Sequence, residues 1–353
     1  MLTSGVFGYV FDYFLWWILL ASLFVHAWCF LRFFPKKKYR KTGLVFGNAL
    51  VFLCILGVAA IIGETYFRFV HIGTDAFGMS LPARRWFAVH TTLNSLGCRD
   101  REWSIEKPAG VRRIAFVGDS FTYGWGIERL EDRFTERIAA RFEQRTADTI
   151  EVMNVAKPGW GTQDQMAPVA NLVTRFRVDE IVLCYVPNDI EKRLPRSDEF
   201  DPIRPPEPRL FDPDRSCLLD HLYRRIWVPR VATVRGYHDW LARGLNDGEL
   251  WRAHTHDLSD IARFCRENGA TFRVVLLPFI RTGGESYVAS SIHKKLADFL
   301  RQIDVEVLDL LPSVTGHESA GLTVNRHDAH PNEQAHKIFA NAIWERFYGT
   351  DSP

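Results

Sequence analysis

The stretch Arg112-Arg113-Ile114-Ala115-Phe116-Val117-Gly118-Asp119-Ser120-Phe121-Thr122 holds the clearest strand in this chain and, at its end, a candidate nucleophile. Ile114 to Val117 is an unbroken apolar run, the pattern of a strand buried on both faces, and Gly118 releases the backbone just before the hydroxyl. A side chain at the carboxyl end of such a strand lies in the crevice where open α/β sheets bind their ligands. Far downstream, Asp328-Ala329-His330-Pro331-Asn332 sets a carboxylate and an imidazole two residues apart. Serine, acid and histidine together are the parts of a nucleophilic acyl-transfer site.

Around this strand, short apolar runs alternate with helical patterns. Further strands are expected at Val152–Val155, Ile181–Val186, Phe272–Leu277 and Val305–Leu308. Between the first two, Leu130, Phe134, Ile138 and Phe142 recur every four residues, one face of an amphipathic helix. Helices are expected over Trp251–Glu267 and Ser290–Gln302. A last one is expected from about Pro331 to Tyr348, with Pro331 in its first turn and Glu333 at the positive end of its dipole. The alternation argues for an α/β fold with a doubly wound parallel sheet. Leu194–Ser216 interrupts it with six prolines, which excludes a central strand or regular helix and predicts a surface excursion beside the site.

The amino-terminal part is of another kind. Tyr13–Leu31 and Gly43–Gly63 are apolar runs close to the roughly 20 residues that cross a hydrocarbon core. No basic n-region precedes the first, and it is too long for the h-region of a cleaved signal peptide. Two transmembrane helices are expected. The loop Pro35-Lys36-Lys37-Lys38-Tyr39-Arg40-Lys41 predicts a cytoplasmic turn, with both termini on the extracytoplasmic, periplasmic or extracellular, side. The organisation read from the sequence is a first span and basic loop over 1–42 and a second span over 43–63. A connector without clear period follows over 64–110, then a catalytic domain over 111–353.

The formal net charge of +2 hides an asymmetry. Six of the 44 basic residues and one of the 42 acidic ones fall in the first 63 positions, so the remainder is slightly acidic. No global basic field argues for nucleic acid. Four cysteines, Cys98, Cys184, Cys217 and Cys265, lie beyond the spans. Four allow three full pairings, among which sequence does not choose.

Four blocks end a strand or precede a helix: Gly118-Asp119-Ser120, Asn154 to Thr162 with Pro158-Gly159-Trp160-Gly161, Val186-Pro187-Asn188-Asp189, and Asp328 to Asn332. In this order they resemble the blocks of the SGNH, or GDSL, hydrolase superfamily. The resemblance spans about Arg112 to Tyr348, and Asn94-Ser95-Leu96-Gly97-Cys98-Arg99 is similar to a lead-in found in some members. It implies a flavodoxin-like parallel sheet. It also implies Ser120 as nucleophile, His330 as base and Asp328 as its orienting acid. The oxyanion would be held by the backbone N–H groups of Ser120 and Gly159 and the side-chain amide of Asn188. Two departures stand out. Only Ala329 separates acid and histidine where many members have two residues, a spacing shared with some membrane-associated acetylation proteins of this fold. Ala156 and Lys157 stand where relatives often carry small residues or glycine.

Duller roles exist for each residue. Ser120 could be a helix N-cap, and Asn188-Asp189 could cap a turn. The cluster His327, Asp328, His330 and His336 raises a metal site, but the serine blocks account for it better, and no metal is expected. Gly124-Trp125-Gly126 lacks the third glycine of a dinucleotide fingerprint, and no cofactor is expected. Tyr123, Trp125 and Trp160 flank the site. Packing is one role for them, and for Trp125 and Trp160 a sugar platform or the wall of an acyl pocket is the other. The expected function is a membrane-anchored extracytoplasmic serine esterase acting on carboxylic, including O-acetyl, esters. Its partners are an acyl ester substrate, envelope carbohydrate and the lipid bilayer. The alternatives are an O-acyltransferase of cell-envelope glycans and a non-catalytic scaffold of the same fold.

Overall fold

A computed structural model describes residues 3–34, 40–75, 80–145, 149–194, 216–231, 236–280, 290–315 and 321–349. The chain forms two compact units, 1–73 with 79–85 and 205–231, and 74–78 with 86–204 and 232–353.

The first unit contains helices Thr3–Phe33 and Arg40–Thr65, the second running on into a wider turn over Tyr66–Val70. Both hold stretches long and apolar enough to cross a membrane, Phe11–Phe33 and Lys41–Val70, and few of their side chains are buried. Phe14, Ile18, Leu19 and Val25 on one and Phe46, Phe52, Ile55 and Ile62 on the other face outward. The two helices approach closely at Gly57, where a Cβ would come within 2.7 Å of Leu20. Small residues permit such contact between apolar helices. At the end of the second helix, fully buried Glu64 accepts hydrogen bonds from Arg68 Nε (2.7 Å), Ser216 Oγ (2.6 Å) and the backbone N–H groups of Cys217 and Leu218. A buried carboxylate is tolerated when its oxygens are satisfied in this way.

The second unit is built on five parallel strands, β1 (Arg112–Gly118), β2 (Ile150–Ala156), β3 (Glu180–Tyr185), β4 (Thr271–Leu276) and β5 (Glu306–Asp309), in the order β2-β1-β3-β4-β5. Their apolar residues serve two cores by simple alternation. Ala115 and Val117 of β1 join Leu172, Ile261 and Leu296 from the helices Thr162–Thr174, Gly248–Glu267 and Ser290–Gln302 on one face. Ile114 and Phe116 join Phe134, Ile138 and Phe339 from the helices Phe134–Arg145 and Glu333–Phe347 on the other. Helices on both faces explain why the strands read as unbroken apolar runs. A separate antiparallel pair, β6 (Thr323–Asn325) and β7 (Asp328–Pro331), carries the acid and histidine.

The five expected strands are all present, each within two residues of the bounds read from sequence. Several details differ. Pro331 ends β7 and is not in the last helix; Asn332 caps that helix by accepting from the N–H groups of Gln334 and Ala335. Leu130 sits in a separate 3₁₀ turn, Leu130–Asp132, ahead of the helix that carries Phe134. The stretch 64–110 contains a helix, Leu81–His90, and the buried residues Cys98, Arg99 and Trp103, so it contributes to the packed structure. The helix Tyr237–Asn246, unforeseen in sequence, packs Trp240 and Leu241 on Ile190 and Leu194. Of the proline-rich excursion, residues 195–215 lie outside the described residues. All six cysteines lie among the described residues, and none of them forms a disulfide.

Phe339 is fully buried between helix and sheet. Phe339→Ala is expected to cost about 3–5 kcal/mol, read as a lower thermal unfolding midpoint of the full chain.

Candidate active site

The strand order doubles back at β1: the chain leaves it toward β2 on one side and later returns as β3 on the other. Such a reversal opens a crevice at the carboxyl ends of the two strands, where α/β folds bind ligands. Ser120 follows β1 and Asn188 follows β3, so the topology sets both beside it.

Local chemistry fixes the turn after β1. A Cβ on Gly118 would lie 2.2 Å from Thr122 Oγ1 and 3.0 Å from the Cys184 carbonyl, so only glycine fits. The reason is space rather than an unusual backbone angle. Asp119 then caps the short helix Ser120–Tyr123, its Oδ1 accepting from Phe121 N at 2.9 Å. Asn154 of β2 donates to the Thr122 carbonyl at 2.8 Å and holds this helix from the neighbouring strand. The lead-in residue Arg99 donates to the carbonyls of Gly124 (2.9 Å) and Glu128 (3.0 Å), bracing the following loop.

Ser120 Oγ lies 2.9 Å from His330 Nε2, and His330 Nδ1 lies 2.5 Å from Asp328 Oδ1. Alternation on β7 turns Asp328 and His330 to the same side, which lets the one-residue spacing work. Asp328 is fully buried and His330 nearly so. Burial alone would push the Asp328 carboxyl up. The charge of His330 and hydrogen bonds from His330 and Thr74 outweigh it and hold Asp328 below the usual carboxylate value. Asp328 Oδ2 accepts from Trp125 Nε1 at 3.1 Å and from Thr74 Oγ1.

Of the two roles read from sequence for Trp125, its surroundings are those of a packed residue. It is buried, its ring stacks on His330 at 5.3 Å with an interplanar angle of 22°, and Phe87 meets it edge-on. Trp160 is half-buried, with Lys157 Nζ 5.3 Å from its ring centre. Gly159 holds φ at +78° with open space where a Cβ would stand, which suits a backbone exposed to a ligand. Gly161 is pressed against the third block: a Cβ there would come within 2.5 Å of the Asp189 carbonyl.

Asn188 Nδ2 donates to Asp119 Oδ2 at 3.2 Å, using one of its two N–H groups and leaving the other for a ligand. Asp119 and Asp189 are both fully buried acids. Burial, reinforced by the charge of Asp119, pushes Asp189 well above the usual range, and burial likewise raises Asp119. The remaining histidines of the cluster point elsewhere. His336 is buried and receives the Phe134 N–H on Nδ1, while His327 Nε2 receives Arg326 Nε. Among the described residues no three His, Cys, Asp or Glu side chains are grouped to hold a metal.

Sequence reasoning assembled Ser120, His330 and Asp328 but missed Thr74, which sits in a stretch without period or motif. It also missed the hydrogen bond of Trp125, whose only signal was its nearness to the serine block.

A five-stranded sheet of this order, with these four blocks at its carboxyl edge, is the SGNH class of hydrolase fold. The chain belongs to the GDSL-like lipase/acylhydrolase family, whose profile matches residues 116–338. No curated protein sequence matches it. Among solved structures it is similar to a lipolytic G-D-S-L protein of Veillonella parvula, at 16% identity over 67% of this chain and 98% of that one, TM-score 0.42. It is also similar to a catalytic mutant of an acetylxylan esterase from Geobacillus stearothermophilus, at 14% identity over 66% and 93% of the two chains, TM-score 0.41.

Because Asp189 takes up a proton on folding, its contribution to stability is present below the ordinary value of 3.8 and fades as pH rises toward its raised folded value. Asp189→Asn mimics the neutral acid. Thermal midpoints measured from about pH 5 to 8 should fall for the wild type and fall less for the variant.

Proposed function

We propose that the chain is a membrane-anchored serine esterase. The hydrogen-bonded run from Ser120 through His330 to Asp328 carries this reading. His330 Nε2 takes the Ser120 proton as Oγ attacks the ester carbonyl, and Asp328 keeps Nδ1 protonated and the ring in place. The tetrahedral oxyanion is held by the backbone N–H groups of Ser120 and Gly159 and the free N–H of Asn188. The imidazolium passes its proton to the departing alcohol, leaving an acyl group on Ser120. His330 then deprotonates a water that attacks the acyl carbonyl, and the carboxylic acid leaves as Ser120 recovers its proton. Trp160, half-exposed beside the Gly159 loop, is a candidate wall for the ester's acyl or sugar part.

The two long apolar helices are read as membrane spans, and the basic loop between them as cytoplasmic. In this topology the catalytic unit faces the extracytoplasmic side, within reach of O-acetylated envelope carbohydrate. The finding that one similar structure is an acetylxylan esterase suits a carbohydrate ester.

A fluorophosphonate probe should label the wild type, and labelling should vanish in Ser120→Ala. A folded wild type that neither labels nor hydrolyses acyl esters would refute the proposal. Asn188→Ala should lower kcat about 100–1,000-fold, measured on an acetyl ester. Free acetate rather than acylated glycan should accumulate when a glycan acceptor is present. The chain should stay in the membrane pellet after alkaline carbonate extraction, and release into the supernatant would count against the spans.

A further inference from the structure

Asp328 has two carboxylate oxygens and only one of them serves His330. Oδ1 accepts from both the backbone N–H and Nδ1 of His330, at 3.1 and 2.5 Å. Oδ2 turns away from the histidine into a fully buried site. A buried carboxylate oxygen without donors is costly, because no water replaces them. Two donors from distant parts of the chain meet it, Trp125 Nε1 and Thr74 Oγ1. The four hydrogen bonds occupy the acceptor capacity of an ionised carboxylate.

Thr74 is itself held in place. It is 2% exposed, and its carbonyl accepts from Asn325 Nδ2 at 3.2 Å. Asn325 lies on β6 directly opposite Asp328 on β7. The hydroxyl and the backbone of Thr74 are thus clipped to the same two-stranded element that bears the acid and the histidine. In sequence, Thr74 lies 254 residues before Asp328 and only four beyond Val70, where the second long apolar helical stretch ends.

We propose that Thr74 is a positioning residue of the catalytic site: its hydroxyl, with the indole N–H of Trp125, orients the Asp328 carboxylate so that Oδ1 stays aligned with His330. Thr74 touches neither substrate nor nucleophile and acts only through Asp328. The consequence concerns the segment next to the anchor. Residues that follow directly on the second apolar helix complete a site whose other members lie at least 45 positions further along the chain. The inference rests on the esterase reading above and deepens it.

The test uses the full-length chain in detergent or vesicles, with a p-nitrophenyl acyl ester as substrate and a fluorophosphonate as active-site probe. Thr74→Val removes the hydroxyl and keeps the shape. It should lower kcat about tenfold or more, the size expected for one lost hydrogen bond to a charged group, with KM little changed. Asp328 loses a donor that favours its charged form, so the acid limb of the pH–rate profile should move to higher pH. Thr74→Ser should restore most of the rate and the wild-type profile. Trp125→Phe, which keeps a ring over His330 but removes the N–H, should show the same upward displacement of the acid limb. It tests the idea even if Thr74→Val folds poorly. Thr74→Val with wild-type kcat and profile would overturn the inference, as would a loss equally large in Thr74→Ser or confined to KM. In each of those cases a wild type that turns over and labels at Ser120 leaves the esterase reading intact. A wild type that does neither removes that reading instead.

Discussion

Strand β1 shares backbone hydrogen bonds with β2 along one edge and β3 along the other, and the rest of the site follows from that double pairing. A strand bound on both edges and packed on both faces has no freedom to shift, so the residue after it is held rigidly. The exit from β1 is tight enough at Gly118 to leave no room for a Cβ against Thr122 and Cys184. Ser120 therefore emerges at one position, beside the crevice between β1 and β3. A hydroxyl on such a frame stays aligned with the His330 ring, as the proposed proton transfer over a single hydrogen bond requires.

The histidine and acid come from a different kind of element. The pair β6–β7 is short and lies outside the main sheet, so its placement depends on side-chain bonds more than on a ladder. Asn332 holds one end, capping the last helix and donating to the carbonyls of Gly321 and Thr323. At the other end are Asn325 and the buried carboxylate of Asp328. Among the described residues, buried side-chain atoms without a hydrogen-bond partner near the site include Thr122 Oγ1, Gln165 Oε1, Asn188 Oδ1, Asp189 Oδ1 and His336 Nε2. Asp189, pushed toward its neutral form by burial and by Asp119, is a local cost that the surrounding core must offset.

Much of this was legible in the linear order of residues. The five strands announced themselves because burial on both faces demands unbroken apolar runs, and the amphipathic helices because burial on one face demands a period near 3.6. Ser120, Asn188, Asp328 and His330 stood at strand ends or beside helix starts, where a backbone pattern is enough to flag them. The helix Leu81–His90 was not legible, since its apolar residues lie in a stretch of mixed polarity with no sustained stripe. The role of Trp125 stayed open between packing and a pocket wall, because nothing near it in sequence shows that its N–H meets a carboxylate 203 positions away.

The sequence alone determined what is local or periodic: two apolar helices, a parallel α/β alternation, and four short blocks with the residue types of an acyl-transfer site. It could do so because strand burial, helix amphipathicity and hydrocarbon thickness each impose a period or a length on neighbouring residues. Which side chains finish the site was decided only by the tertiary structure. Thr74 reaches Asp328, Asp119 reaches Asn188, and Arg99 braces the Gly124 loop through contacts that carry no spacing rule. Such contacts depend on where the folded backbone brings distant segments, and a buried charge draws its donors from whatever lies within hydrogen-bonding distance.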